Sequence, residues 1–340
     1  MQTSSTVVSQ SYARQDRPGD TKHVVVCIDK TESARQIVPH AFAIANALRI
    51  PVTLLQVLEA PPTNAFRLDP IEWNIRRHEA RNALKRLSDA RKDGVKVIDA
   101  ELVEGKTAEE ICRWTKDRAA ELIVLGTHGE HRPGACGIGS TARNVLERGG
   151  GSVLLVPVST ATVRTPHYQR ILVPLDGSSW SESVLPFAAR LAHATDAELI
   201  LAHVVPMPEL TETDPLEAED FELRERVVAR NERVARSYLD RVRRYVAERG
   251  LKVRALTLRG DDVRSSLINL IGNENVDLVV FSARGHGCNR VSDVPYGNVA
   301  AYLVTHSHVP MLIVRSTGPP RRTDTAVRRE TGPPLIRQVV

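Results

Sequence analysis

The chain repeats itself, and the length of the repeat decides what it can fold into. The run Val24-Val25-Val26-Cys27-Ile28-Asp29 returns as Ile171-Leu172-Val173-Pro174-Leu175-Asp176, 147 residues later. Without a gap the same offset carries Pro39 onto Pro186, Ala41 onto Ala188, Ala45 onto Ala192, Leu54 onto Leu201, Val57 onto Val204 and Pro61 onto Pro208. Leu122–Gly129 then matches Leu278–Gly285 at an offset of 156, and Ser152–Val156 matches Pro310–Val314 at 158. An offset that grows only inside loops is the mark of a duplicated domain. A period of about 150 residues is too long for a solenoid unit and suits a whole domain. Two domains follow, over 21–160 and 170–316, with a linker at 161–169. The polar stretch 1–20 and the Pro-, Gly-, Thr- and Arg-rich tail 317–340 are expected to be disordered.

Each copy alternates short apolar runs with longer amphipathic ones. In the first, strands are expected at Val24–Ile28, Val52–Leu58, Val95–Leu102, Leu122–Leu125 and Val153–Val156, with helices near 32–49, 70–93, 107–119 and 140–148. Ile37, Val38, Ala41, Phe42, Ala45 and Leu48 recur at three- and four-residue spacing, which makes one buried helical stripe. Strands alternating with helices imply a parallel sheet covered on both faces. The second copy adds a long Arg- and Glu-rich helix around 216–249, read as a solvated face with pairs at helical spacing. Val153–Val158 and Met311–Arg315 would be apolar edge strands, which need pairing or cover.

Composition narrows the function. Aromatic residues make up 4% of the 340, which disfavours recognition of nucleic acid by stacking on bases. The net charge of +5 describes the tail: from Arg315 onward six arginines face only Asp324 and Glu330, so the body is near neutral. No run approaches 18 apolar residues and the first residues lack an apolar signal core, so a cytoplasmic protein without membrane insertion is expected. Four cysteines without a Cys-x-x-Cys pair fit a reducing compartment.

Chemistry concentrates after the fourth strand. Gly126-Thr127-His128-Gly129 is followed by Gly139-Ser140-Thr141, where a helix begins. Glycines let the backbone approach a phosphate, and a helix N-terminus offers unpaired N–H groups and the positive end of the dipole. Ser140 is read as the N-cap of the empty state and a phosphate ligand of the filled one. Arg132, inside the loop, is placed either to pair with a phosphate or to remain a surface arginine. Cys136 and Cys288 both fall in the glycine loops and are read as inert thiols. His128 and His131 lack an acidic cluster, so no metal site is assigned.

Together these motifs resemble the universal stress protein family, and the resemblance covers the whole body of the chain. Asp29, Gly126, Gly129, Gly139 and Ser140 reproduce the family's nucleotide-binding pattern in full. The resemblance implies α/β domains, each a five-stranded parallel sheet in the order 3-2-1-4-5 with helices on both faces. Ligands then sit at the carboxyl ends of the central strands, where the order reverses. It also implies that Ile28 and Asp29 end the first strand, with Asp29 accepting from ribose or adenine. Val57 and Leu125 would floor the adenine site, Thr127 and His128 would offer backbone groups, and Gly139, Ser140 and Thr141 would hold phosphates. The ligand would be ATP or another adenine nucleotide, with Mg²⁺ compatible but its site unassigned. Fifth strands would pair antiparallel, here within one chain, and further homodimerisation stays open.

The second copy departs from the pattern. Ser282 replaces the first glycine, Gly285 and Gly297 are separated by eleven residues, and Asn298 stands where Ser140 does. Asp176, Val204, Ser282, Gly285, Gly297 and Asn298 therefore form either a looser second site or a lost one. The expected role is regulatory binding without efficient catalysis, acting on protein clients that the sequence does not name. No Walker lysine follows the glycines, and the turn after the first strand has no glycine, which excludes a nicotinamide dehydrogenase. A slow phosphate-cleaving enzyme and a ligand-free interaction module are the alternatives.

Overall fold

The computed structural model describes residues 22–29, 33–59, 69–89, 97–118, 120–127, 137–158, 166–208, 217–248, 250–284 and 297–315. In the first half the elements are β1 (Val24–Ile28), α1 (Ser33–Leu48), β2 (Val52–Leu58), α2 (Pro70–Asp89), β3 (Val97–Glu104), α3 (Thr107–Asp117), β4 (Leu122–Gly126), α4 (Ser140–Arg148) and β5 (Ser152–Val156). In the second they are β6 (Arg170–Pro174), α5 (Ser179–Glu182), α6 (Leu185–Thr195), β7 (Glu198–Pro206), α7 (Ala218–Ala247), β8 (Val253–Gly260), α8 (Val263–Asn273), β9 (Leu278–Ser282), α9 (Asn298–His306) and β10 (Met311–Val314).

All ten strands form one sheet in the order β3-β2-β1-β4-β5-β10-β9-β6-β7-β8. Each half keeps the order 3-2-1-4-5, and pairing within each half is parallel. The two expected sheets are therefore fused into one. The fusion is antiparallel, with Met311 opposite Leu155, Leu312 opposite Leu154 and Ile313 opposite Val153. Pairing the two apolar fifth strands removes both as edges. Because the seam is antiparallel, the strands of the two halves end at opposite margins of the sheet.

Period-two alternation assigns each strand residue to a layer. Val24, Val26, Leu122, Val124, Leu154 and Val156 enter a core under α1, α2, α6 and α7. Val25, Cys27, Ile123, Leu125, Val153 and Leu155 enter the opposite core, under α3, α4, α8 and α9. Ile37, Val38, Ala41, Phe42 and Ala45 of α1 are all buried, as the stripe predicts, and Leu48 packs at its margin. Both cores run across the seam. Further ties cross it: Arg190 bonds Glu121 at 2.7 Å, and Arg315 Nη1 donates to the Gly149 carbonyl at 2.6 Å.

Another tie is titratable. Tyr168, in the segment joining the halves, is buried, and its hydroxyl lies 2.8 Å from His40 Nδ1 on α1. Burial lowers the His40 pKa to about 4 and pushes the Tyr168 phenol up, so both are neutral at pH 7. In an unfolded chain His40 titrates near its ordinary 6.5. Between those values the unfolded state binds a proton that the folded state refuses. The contribution of His40 to stability is thus whole above pH 6.5 and is lost as pH falls towards 4, by up to about 3 kcal/mol. Denaturant titrations at pH 7 and pH 5 should show wild type losing more stability than His40→Gln. Equal losses would remove His40 as the source.

Candidate functional site

The strand order reverses between β1 and β4, and the crevice at their carboxyl ends is where ligands enter open α/β sheets. The register sets Val26 opposite Val124 and Ile28 opposite Gln56. One step further, Asp29 stands level with Val57 on one side and Thr127 on the other. Val25 and Cys27 point towards α3 and α4, and the alternation carries Asp29 to that face. Leu125 is buried in the same layer and Val57 packs against it. Ile28 does not join them. Its side chain is buried in the opposite core.

The start of α4 faces the same layer. Its N-cap is Gly139, with φ −64° and ψ 154°, and the Gly139 carbonyl accepts from Arg143 N–H at 2.9 Å. Ser140 is accordingly the first helical residue, not the cap. Its type suits a cap, but the turn into helical geometry falls one residue earlier. Among the described residues no side chain caps this end, so the first N–H groups of α4 face solvent or a ligand. The loop is closed at its base: Gly139 N–H donates to the Thr127 carbonyl at 2.8 Å, and Thr127 N–H to the Val156 carbonyl at 2.9 Å. The Thr127 N–H is therefore engaged in holding the loop, which corrects the expectation that it is offered to a ligand. His128, Gly129, Arg132, His131 and Cys136 lie outside the described residues.

Ser140 and Thr141 open onto a cavity of about 280 Å³ whose other walls include Glu59, Lys106, Thr107 and Arg148. Sequence reasoning missed these four. The start of α3 also ends here, with Lys106 at its N-cap and no side-chain cap. Two helix N-termini, a lysine and an arginine thus meet in one concavity, an arrangement suited to anionic oxygens. Lys106 is paired with Glu109 at 3.1 Å, and Thr107 Oγ1 donates to Glu59 at 3.2 Å, so an incoming anion would compete with local carboxylates. Cys112 is in the same wall, and burial raises its thiol pKa, which keeps it protonated. The volume suits a phosphate group more than a whole nucleotide. Among the described residues, no three His, Cys, Asp or Glu side chains gather to hold a metal.

The second half keeps the scaffold and changes the chemistry. Gly297 caps α9 with φ −62° and ψ 158°, so Asn298, like Ser140, is the first helical residue and not the cap. Gly297 N–H donates to the Ala283 carbonyl at 3.2 Å, repeating the loop closure of the first half. Ser282 Oγ accepts from Arg284 N–H at 3.2 Å, and Asp176 Oδ1 accepts from Ser178 N–H at 2.9 Å. Val204 is buried in the core beneath α8 and α9. Gly285 and Cys288 lie outside the described residues.

A doubly wound α/β unit with a glycine-capped helix at the switch point, present twice in one sheet, defines a class of paired Rossmann-like domains. A family model described as the universal stress protein family matches residues 20–157 and again 167–315, and the chain belongs to that family. A universal stress protein of Mycobacterium tuberculosis is 25% identical over 312 residues, covering 86% of this chain and 96% of its own length. One from Methanocaldococcus jannaschii is 28% identical over 140 residues, 40% of this chain and 81% of its own. The crystal structure of a universal stress protein from Archaeoglobus fulgidus covers 87% of this chain and 99% of its own, with TM-score 0.60 and 16% identity, a likeness of fold.

Proposed function

We propose that the first half binds ATP or a related adenine nucleotide in a regulatory role, without efficient catalysis. The observation that carries this is the start of α4, held at the switch point by the Gly139–Thr127 bond and opening with the start of α3 onto one cavity that Lys106 and Arg148 border. Phosphates would lie on Ser140 and Thr141, and Asp29, Val57 and Leu125 would receive the nucleoside from the same face. The proposal gives Mg²⁺ no protein ligand; it would arrive on the phosphates. Among the described residues no helix is long and apolar enough to cross a membrane, and the proposed setting is the cytoplasm. Protein clients would read the nucleotide state.

Native mass spectrometry of the purified chain, with analysis of the released nucleotide, tests this. One adenine nucleotide per chain is the expected result. Two would show that the second loop also grips phosphate. A chain that arrives empty and takes up no added ATP would sink the proposal and favour an interaction module. Sustained phosphate release over many turnovers would favour the enzyme instead.

A further inference from the structure

The second half has a larger cavity on the other face of the sheet. It measures about 760 Å³ and is bordered by Asp176, His203, Arg230, Arg233, Tyr238 and Arg241. Alternation along β7 fixes its side: Leu199 and Leu201 enter the core under α7, while Ile200, Ala202 and Val204 enter the opposite core. His203 therefore faces α7, away from Val204, Ser282 and the start of α9. The cavity is separate from the second-half counterpart of the proposed nucleotide site, although Asp176 stands at its edge.

Its helical wall is a stripe. Arg230, Val234, Ser237 and Arg241 follow one another at spacings of four, three and four along α7, and all border the cavity. Arg233 flanks the stripe. Two other arginines of this helix have acidic partners, Arg236 with Glu232 and Arg243 with Asp240. Among the described residues, Arg230, Arg233 and Arg241 have none; Arg230 contacts Asn231 Oδ1 at 3.3 Å, and Arg241 lies over the Tyr238 ring at 5.5 Å. Three guanidinium groups without carboxylate partners around a concavity form a fork-rich anion receptor.

The floor adds polar groups for the rest of a ligand. His203 Nδ1 lies 2.8 Å from the Leu175 carbonyl, which can only accept, so Nδ1 donates there and Nε2 is the ring atom left for a ligand. The Tyr238 hydroxyl is buried, and that burial, with the Glu182 carboxylate beside it, pushes its pKa up. Val234, exposed to 56%, supplies an apolar contact beside them. The volume lies within the range of metabolite sites.

We infer that this cavity is a second ligand site, for a small phosphorylated metabolite whose hydroxyl or amine donors meet Asp176 and His203 while its phosphate meets the arginines. Calorimetric titration of the full chain with inorganic pyrophosphate at fixed ionic strength tests it, in a Gly139→Val background that removes any contribution from the first half. Saturable uptake is expected, weakened by about tenfold or more in Arg233→Gln/Arg241→Gln, since each charge-assisted bond is worth about 1.5–3 kcal/mol. Arg226→Gln/Arg244→Gln removes the same charge from α7 outside the cavity and should change affinity less than about twofold. All four arginines are on the helix exterior, and circular dichroism confirms folding of each variant. Absence of saturable uptake, or equal weakening by both pairs, overturns the inference.

Discussion

Replacing Gly139 by valine should abolish adenine-nucleotide binding while leaving the chain folded. The Gly139 dihedrals lie in the extended region open to every residue, so valine introduces no backbone strain. As an N-cap, valine costs at most about 1 kcal/mol relative to glycine. Its isopropyl group, however, stands at the mouth of the N–H groups of Ser140 and Thr141, where a phosphate would have to approach closely. Calorimetry with ATP should show affinity falling about a hundredfold or more, equivalent to about 2.7 kcal/mol. Gly297→Val is the matched comparison, since a side chain there meets open space. It should leave first-half binding unchanged. Normal binding by Gly139→Val would displace the main site from the start of α4.

Leu312→Ala should destabilise both halves together. Leu312 sits opposite Leu154 across the seam, and neither exposes any surface. Emptying such a position costs about 3 kcal/mol, the transfer energy of the lost methyl groups plus a cavity that the sheet cannot collapse. For a chain of this size the thermal midpoint should fall by roughly 4–5 °C. Both cores are continuous through the seam, so differential scanning calorimetry should show one transition before and after the change. Two separated transitions, with only one moved, would mean that the halves melt independently.

The repeat and its alternation made most of this architecture legible. β1 and β2 fall at the residues that hydrophobicity indicates, because both are central strands buried on each face. β3 runs past its expected end: Val95–Leu102 was the expected run, the described strand is Val97–Glu104, and positions 95 and 96 lie outside the described residues. Its C-terminal end is set by pairing with β2, where Leu58 lies opposite Glu104, and partner register leaves no trace in local composition. The site divides in the same way. Asp29, Ser140 and Thr141 were readable as candidates from a strand end and a glycine loop, while Val57 and Leu125, inside β2 and β4, were proposed from the family resemblance. Lys106, Thr107 and Arg148 were not readable, since only the packing of α3 alongside α4 brings them to one cavity.

The antiparallel junction of β5 and β10 has a consequence for how such a protein can change. Two separate subunits joined in this way would come apart on dilution, and any alteration in one gene would appear in both partners at once. Here the second partner is tethered, so the junction persists at any protein level. The copies are also free to diverge. The loop after β9 has lost the first glycine of the pattern and gained two residues, while the residues that close the seam remain apolar. Duplication in one chain thus lets assembly stay constant while the two margins of the sheet acquire unequal duties.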